Sequence, residues 1–224
     1  MCASGAWRCD GVIVERDRHR ETANLANGLG VSVRTVEPGQ LEQEVGYPFH
    51  RGIIAYAERP VVTPDWGRWA RIVVPWNLAD EGNLGTLVRS AAALGADAIA
   101  VEKGRGADPF SPKAIRASST AVFRIPVWEC TGLAGELRRL RDGGIRIVGT
   151  MPGEDAIPLD RAPLPDTGVV LFGAEEDGLP DEIAALCDCR VRIPLANKVE
   201  SLNVAASAAI VLHACWGEKP GGAP

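Results

Sequence analysis

From residue 71 onward, apolar runs of strand length alternate with segments whose apolar positions recur every three or four residues. The runs Arg71–Trp76, Ala96–Glu102, Ile145–Thr150, Val169–Gly173 and Arg190–Pro194 predict strands. Leu84, Leu87, Val88 and Ala91 share one face of a predicted helix, and Leu133, Leu137 and Leu140 share a face of another. Strands alternating with helices imply parallel strands joined by crossover helices, so the predicted class is α/β. A last helix is predicted from Ser201 to about Trp216. Its Ala205, Ala206, Ala208 and Ala209 let a neighbouring helix come close, either in core packing, the default expectation, or in a subunit contact.

The first sixty residues differ in texture. A short strand at Gly11–Val14, a polar helix from Arg20 to Leu29, a strand in Gly30-Val-Ser-Val-Arg34 and another at Ile53–Ala57 are predicted there. Arg59-Pro60 and Thr63-Pro64 then flank Val61-Val62, and proline on both sides interrupts regular structure. The expected organisation is a small domain over 1–60, a linker over 61–70 and a larger domain over 71–224. About sixty residues is near the lower limit for independent folding. The Pro-Gly-Gly-Ala-Pro tail at 220–224 is expected to fray.

Composition narrows the class. With 224 residues, 46% of them hydrophobic, the chain has material for a sizeable core, which excludes disorder as an overall description. No apolar run reaches the roughly 20 residues that span a bilayer, and the residues after Met1 do not form a signal-peptide core. A cytoplasmic, unprocessed chain is the expectation. Six cysteines, Cys2, Cys9, Cys130, Cys187, Cys189 and Cys215, are then expected as reduced thiols. Cys187 and Cys189 are one residue apart with no histidine at a ligand-like spacing, so no zinc site is predicted. A formal net charge of −5 excludes a generally basic nucleic-acid binder. One stretch departs from that average. Lys103, Arg105, Lys113, Arg116 and Arg124 face the single acid Asp108, a local charge of +4. It is either a solvated surface or a track for a phosphate backbone.

Three segments carry candidate chemistry. Asn77-Leu-Ala-Asp-Glu-Gly-Asn-Leu-Gly-Thr-Leu-Val-Arg89 follows a strand and runs into a helix. Asn83 is predicted as the helix N-cap, and Gly85, one turn before Arg89, is expected to leave an open surface beside the guanidinium. Neither G-x-G-x-x-G nor a Walker A loop is present. Leu171-Phe-Gly-Ala-Glu-Glu-Asp-Gly-Leu-Pro180 is a strand that stops in an acidic loop, with Gly173 and Gly178 allowing close approach of a ligand. Its adjacent acids lack the donor pattern of a metal cage. Ile193-Pro-Leu-Ala-Asn-Lys-Val-Glu-Ser-Leu-Asn203 is a strand, a loop and a helix start. Ser201 suits an N-cap, whereas Asn203, placed one turn into an alanine-rich helix, calls for a specific hydrogen bond.

Taken together, in this order, the three segments resemble the signature motifs of the SpoU (TrmH-type) family of RNA 2′-O-ribose methyltransferases, within the SPOUT superfamily. The likeness covers residues 71 to about 216, and Asp108-Pro-Phe-Ser-Pro-Lys-Ala-Ile-Arg116-Ala-Ser also resembles the family. It implies a parallel sheet with a C-terminal trefoil knot, preceded by a small, shortened α/β substrate-binding domain. Two positions depart from the pattern: Asn197 and Thr120 stand where relatives commonly have glycine. Of the non-glycine residues, Asn tolerates left-handed backbone best, so the loop is expected to keep its path at 197.

The resemblance implies S-adenosylmethionine as methyl donor, no metal, a homodimer, and an RNA substrate, either tRNA or rRNA. Gly173, Ile193 and Leu202 would contact the donor, with Thr150 and Leu195 beside them. The acceptor would be a ribose 2′-hydroxyl, a weak nucleophile whose developing charge must be stabilised. Arg89 matches the essential arginine. Because a guanidinium stays protonated, it is expected to orient the ribose–phosphate and stabilise the alkoxide. Asn83, Glu175, Ser201 and Asn203 match polar motif positions that order the site, and Lys113, Arg116 and Arg124 are candidate RNA contacts. Two other readings stand beside this one: a catalytically silent RNA-binding module on the same scaffold, and a different α/β nucleotide enzyme, which the missing glycine fingerprint opposes.

Overall fold

Apolar runs that are buried on both faces belong in the middle of a parallel sheet, and that is where they lie. The computed structural model describes residues 7–46, 49–153, 155–197 and 199–217; the 220–224 tail and Cys2 lie outside them. The chain divides into two units, one ending at Val61 and the other beginning at Val62.

In the first unit, β1 (Arg8–Glu15) lies between β2 (Ser32–Val36), which is parallel to it, and β3 (Ile53–Glu58), which is antiparallel. Helix α1 (Arg20–Gly28) contributes Ala26 to a small core with Val12 and Val14. Helix α2 (Gln40–Val45), which the residue pattern does not predict, buries Leu41. Glu15 is held below the ordinary carboxylate range by the backbone N–H of Gly39 and the Arg18 guanidinium.

The second unit runs β4 (Arg71–Pro75), α3 (Glu81–Ala93), β5 (Ala98–Glu102), α4 (Pro112–Ala117), β6 (Val127–Cys130), α5 (Leu133–Asp142), β7 (Ile147–Thr150), β8 (Ile157–Pro158), β9 (Gly168–Phe172), α6 (Asp181–Ala184), β10 (Cys189–Arg192) and α7 (Val204–Trp216). Its seven strands pair in the order β6-β5-β4-β9-β7-β10-β8, all parallel. Strand β9 is laid between β4 and β7, so two strands far apart in sequence flank it on either side.

Strand alternation divides the core. Ile72, Val74, Val169 and Leu171 face one layer, where Leu133, Leu137 and Leu140 of α5 and Ile183 of α6 cover them. The other layer holds α3, packed against both α4 and α7. Ala205 and Ala208 are buried there and serve close helix packing, while Ala206 is exposed and Ala209 half-buried. The stretch expected as a linker is fastened to the first layer. Val62, Trp66 and Trp69 pack on that core. Trp66 meets Trp69 and Trp128 edge-on with ring centroids 6.0 and 5.4 Å away, and the Arg139 guanidinium lies 4.8 Å from the Trp66 ring.

Three local expectations are corrected. The N-cap of α3 is Asp80, whose carboxylate accepts from the Asn83 N–H at 2.8 Å, and Asn83 lies inside the first turn. Helix α7 begins at Val204 with Asn203 as its N-cap, so Ser201 stands outside the helix. The space beside Gly85 is filled: a Cβ there would lie 2.3 Å from the Ala114 carbonyl oxygen and 2.8 Å from Ala117 Cβ. Gly85 serves the close approach of α4, not an open surface.

The thiols of Cys9, Cys130, Cys187, Cys189 and Cys215 are free. Burial pushes Cys130 up to about 12 and Cys187 and Cys215 up to about 11, so these three stay protonated and unreactive at neutral pH.

Of the two glycine departures, Asn197 adopts the left-handed backbone that suits it, at φ 56°. Thr120 does so at φ 68°, directly after Ser119 at φ 50°, and a β-branched residue is poorly suited to that region. Replacing Thr120 with glycine removes a strain of about 1–2 kcal/mol and adds back about 0.5–1 kcal/mol of unfolded-state entropy. Thr120→Gly is therefore expected to stabilise the protein by about 0.5–1 kcal/mol in urea unfolding; a loss of stability contradicts the assignment of strain.

Candidate active site

In parallel α/β sheets, ligands collect beyond the carboxyl ends of the strands, where loops leave backbone N–H and C=O groups unpaired. All three candidate segments begin at such ends: residues 76–89 after β4, 173–180 after β9 and 193–203 after β10. Because β4 and β9 are adjacent, the first two leave the sheet side by side, and the Trp76 N–H still donates to the Phe172 carbonyl at 2.7 Å. Asn77, at φ 49°, turns the chain away from the sheet.

Hydrogen bonds tie the three segments together. Asn83 Nδ2 donates to Glu175 Oε1 at 3.1 Å, and Glu175 Oε2 accepts from the Ala79 N–H at 3.2 Å. Asn203 Nδ2 donates to Asn83 Oδ1 at 2.9 Å, while Asn203 Oδ1 accepts from the Ala205 N–H at 2.9 Å as helix cap. The specific bond that Asn203 called for is this one, across 120 residues of sequence. Partial burial raises the Glu175 pKa, but hydrogen bonds from Asn83 and from backbone N–H groups, those of Ala79 and Asp80 among them, outweigh it and hold the carboxyl below its ordinary range.

Asp80 belongs to this cluster and sequence reasoning missed it. It caps α3 and also accepts from Lys113 Nζ at 2.5 Å, which holds its carboxyl below the ordinary range. The signal was available: an Asp three residues before Asn83 at a strand-to-helix turn has cap spacing. Lys113, expected to reach RNA, is engaged in this ion pair.

The remaining candidates fall in two groups. Thr150, Gly173 and Ile193 lie at the ends of the neighbouring strands β7, β9 and β10, since Thr150 pairs with Phe172 on one side and with Val191 on the other. Thr150 Oγ1 donates to the Leu171 carbonyl at 3.0 Å, closing this edge. Gly173 has no room for a side chain, because a Cβ would lie 2.4 Å from the Gly178 carbonyl carbon across a tight turn. The loop beyond exposes apolar groups, Leu195 at 37%, Val199 at 52% and Leu202 at 38%. Among the described residues, the Val199 N–H bonds to Ala196 O, while no other backbone N–H between Pro194 and Leu202 has a protein partner. Free backbone donors beside exposed aliphatic groups suit a purine nucleoside, which needs edge hydrogen bonds and apolar cover for its faces.

Arg89 stands apart from the hydrogen-bonded chain. Six residues beyond Asn83, it projects in a direction about 120° away from it round α3. It lines a cavity of about 590 Å³ together with Ser118, Ser119 and Arg124. Among the described residues, no hydrogen bond or ion pair engages its guanidinium. Arg116 and Ser201 are exposed and join neither group.

The chain is similar to known proteins over most of its length. The SpoU rRNA methylase family profile matches residues 70–213. The 23S rRNA (guanosine-2′-O-)-methyltransferase RlmB of Acinetobacter baylyi is 28% identical over 213 residues, 91% of this chain and 86% of that protein. An uncharacterized tRNA/rRNA methyltransferase of Mycolicibacterium paratuberculosis is 32% identical over 204 residues, 88% of this chain and 65% of that protein's length. Among solved structures, the AdoMet-bound rRNA methyltransferase from Sinorhizobium meliloti superposes with a TM-score of 0.78 at 25% identity, covering 93% of this chain and 80% of that one. The SpoU methyltransferase AviRb from Streptomyces viridochromogenes, in complex with AdoMet, gives 0.77 at 25% identity, covering 93% and 82%.

Because Asn203 both caps α7 and bridges to Asn83, its two roles separate by substitution. Asn203→Ala is expected to cost about 1–2 kcal/mol in chemical denaturation, and Asn203→Ser, which keeps a capping oxygen, less than half of that. Glu175 adds a pH signature. With its native pKa depressed, its stabilisation is complete above the ordinary value near 4.5 and is lost as pH falls through the lower native value. The stability gap between wild type and Glu175→Gln is therefore expected to shrink on acidification below about 4.5; a gap that stays constant or widens contradicts the hydrogen-bonded carboxylate.

Proposed function

The chain belongs to the SpoU rRNA methylase family, and on that premise we propose that it transfers the methyl group of S-adenosylmethionine to a ribose 2′-hydroxyl of a structured RNA, tRNA or rRNA. The observation that carries the reading is the Glu175–Asn83–Asn203 chain, which draws three distant segments to one edge of the sheet.

The donor supplies an activated methyl on a sulfonium, so the protein has chiefly to align two reactants. Gly173, Ile193 and Leu202 would hold it, with Thr150 and Leu195 adjoining. This assignment is supported by the adjacent strand ends and by the loop's free N–H groups and exposed leucines. Arg89 carries a permanent cation that no acid of the described residues neutralises, which suits it to bind the ribose–phosphate and stabilise charge on the attacking oxygen. Glu175, Asn83 and Asn203 fix the walls of the site. Ser201, exposed just ahead of the Asn203 cap, is a candidate contact for substrate.

The same reading takes residues 173–203 as a trefoil knot. It is supported by the return of the loop after β10 across β7 and β9 to reach Asn83, and by the packing of α7 on α3. It takes the first unit as an RNA-binding domain, the active protein as a homodimer, the metal requirement as none and the compartment as the cytoplasm.

Arg89→Ala tests the mechanism. In calorimetry the variant is expected to bind S-adenosylmethionine as wild type does, while tritium transfer to bulk rRNA and tRNA falls by about two to three orders of magnitude. An undiminished rate removes Arg89 from the reaction.

A further inference from the structure

Two arginines and a single acid line the cavity beside α3. Arg89, at the C-terminal half of α3, and Arg124, just after the turn at Ala121–Phe123, both line it. Both guanidiniums are solvent-accessible, and among the described residues neither has a hydrogen bond or an ion pair. Two unpaired cations facing one cavity repel each other unless an anion lies between them. The one acid in the lining, Asp97, is engaged elsewhere: its Oδ2 accepts from the N–H groups of Ala70 and Arg71, both at 2.8 Å.

Size and surface chemistry narrow the occupant. About 590 Å³ exceeds what a bare phosphate fills and falls within the range of small-ligand sites. Ala93 and Ala96 give part of the wall methyl groups, suited to the face of a sugar or base, while Ser119 adds a hydroxyl. Guanidinium forks match phosphate oxygens in pairs. Ser119 and Thr120 take left-handed backbone on the way to Arg124, so the segment that delivers this arginine is strained.

We propose that this cavity is a subsite for the phosphodiester and sugar of a nucleotide adjoining the methylated one, with Arg124 and Arg89 sharing the phosphate. The inference rests on the reading of the chain as an RNA methyltransferase. Its consequence is that the Arg89 guanidinium gains a fixed orientation only once RNA is bound, and Arg124 is the binding residue that brings this about.

Two experiments on the full chain test it. In nitrogen-15 spectra of the arginine side chains, titration with inorganic phosphate is expected to move the Arg89 and Arg124 Nε–H resonances together, and Arg124→Gln to abolish the Arg89 movement. In tritium transfer to bulk rRNA and tRNA, Arg124→Gln is expected to keep the affinity for S-adenosylmethionine and raise KM for RNA at least about tenfold, with the log–log salt slope of RNA binding lowered by about one. Arg124→Lys restores the slope but only part of the KM, because it lacks the fork. Ala93→Leu, which fills the cavity without altering charge, raises KM and leaves the slope unchanged. Phosphate that moves neither resonance, or an Arg124→Gln enzyme with wild-type KM and slope, overturns the proposal. If the wild-type protein methylates no RNA, the parent reading fails, and the phosphate titration still decides whether the cavity binds an anion.

Discussion

The structure of the site depends on two side-chain amides used at both ends. Asn83 donates through Nδ2 to Glu175 and accepts through Oδ1 from Asn203, and Asn203 accepts through its own Oδ1 from the first turn of α7. This fixes the orientation of both amides. Turning Asn83 over would set its NH₂ against that of Asn203 and its oxygen against the Glu175 carboxylate. No other short side chain meets the demand. Aspartate has no donor for Glu175, and a serine hydroxyl is too short to span both partners. Each bond alone is worth about 1 kcal/mol, but together they hold loops separated by about ninety and more residues in one arrangement.

That dependence explains which parts of the molecule were legible in the sequence. The five strands of the larger unit read from apolar runs were found within one to two residues, since burial on both faces leaves an unbroken run. The buried faces of α3 and α5 were equally plain, because Leu84, Leu87, Val88, Leu133 and Leu137 repeat at helical spacing. Strands β6 and β8 were not. They lie on the two edges of the sheet, where burial on both faces is not required, and β8 is only two residues long.

The helix caps were misread for a related reason. Asp80 and Asn83, and likewise Ser201 and Asn203, are all cap-competent, and propensity does not rank residues two or three positions apart. Tertiary contacts decide. Lys113 from α4 pairs with Asp80, and Asn83 from α3 claims the amide of Asn203, which draws each helix start to the residue so anchored. The space beside Gly85 was misjudged because a glycine in a helix signals close approach without saying of what; here it is the backbone of α4. Neither partner is visible from local sequence.

The charge distribution bears on a tension in the composition. A chain of net charge −5 is an unpromising partner for RNA, yet what matters is which charges remain available at the site. Glu175 is hydrogen-bonded to Asn83 and Ala79, Asp80 is paired with Lys113, and Asp97 accepts two backbone N–H groups. Each of these acids is anchored to a turn or a strand end, so none is free to fold back onto the cations of α3 and the segment after it. Among the described residues Arg89 and Arg124 carry no hydrogen bond or ion pair, so both guanidiniums stay available at the cavity they line. Glu175 and Asp80 are used in the architecture of the loops, and neither is available to pair with these arginines.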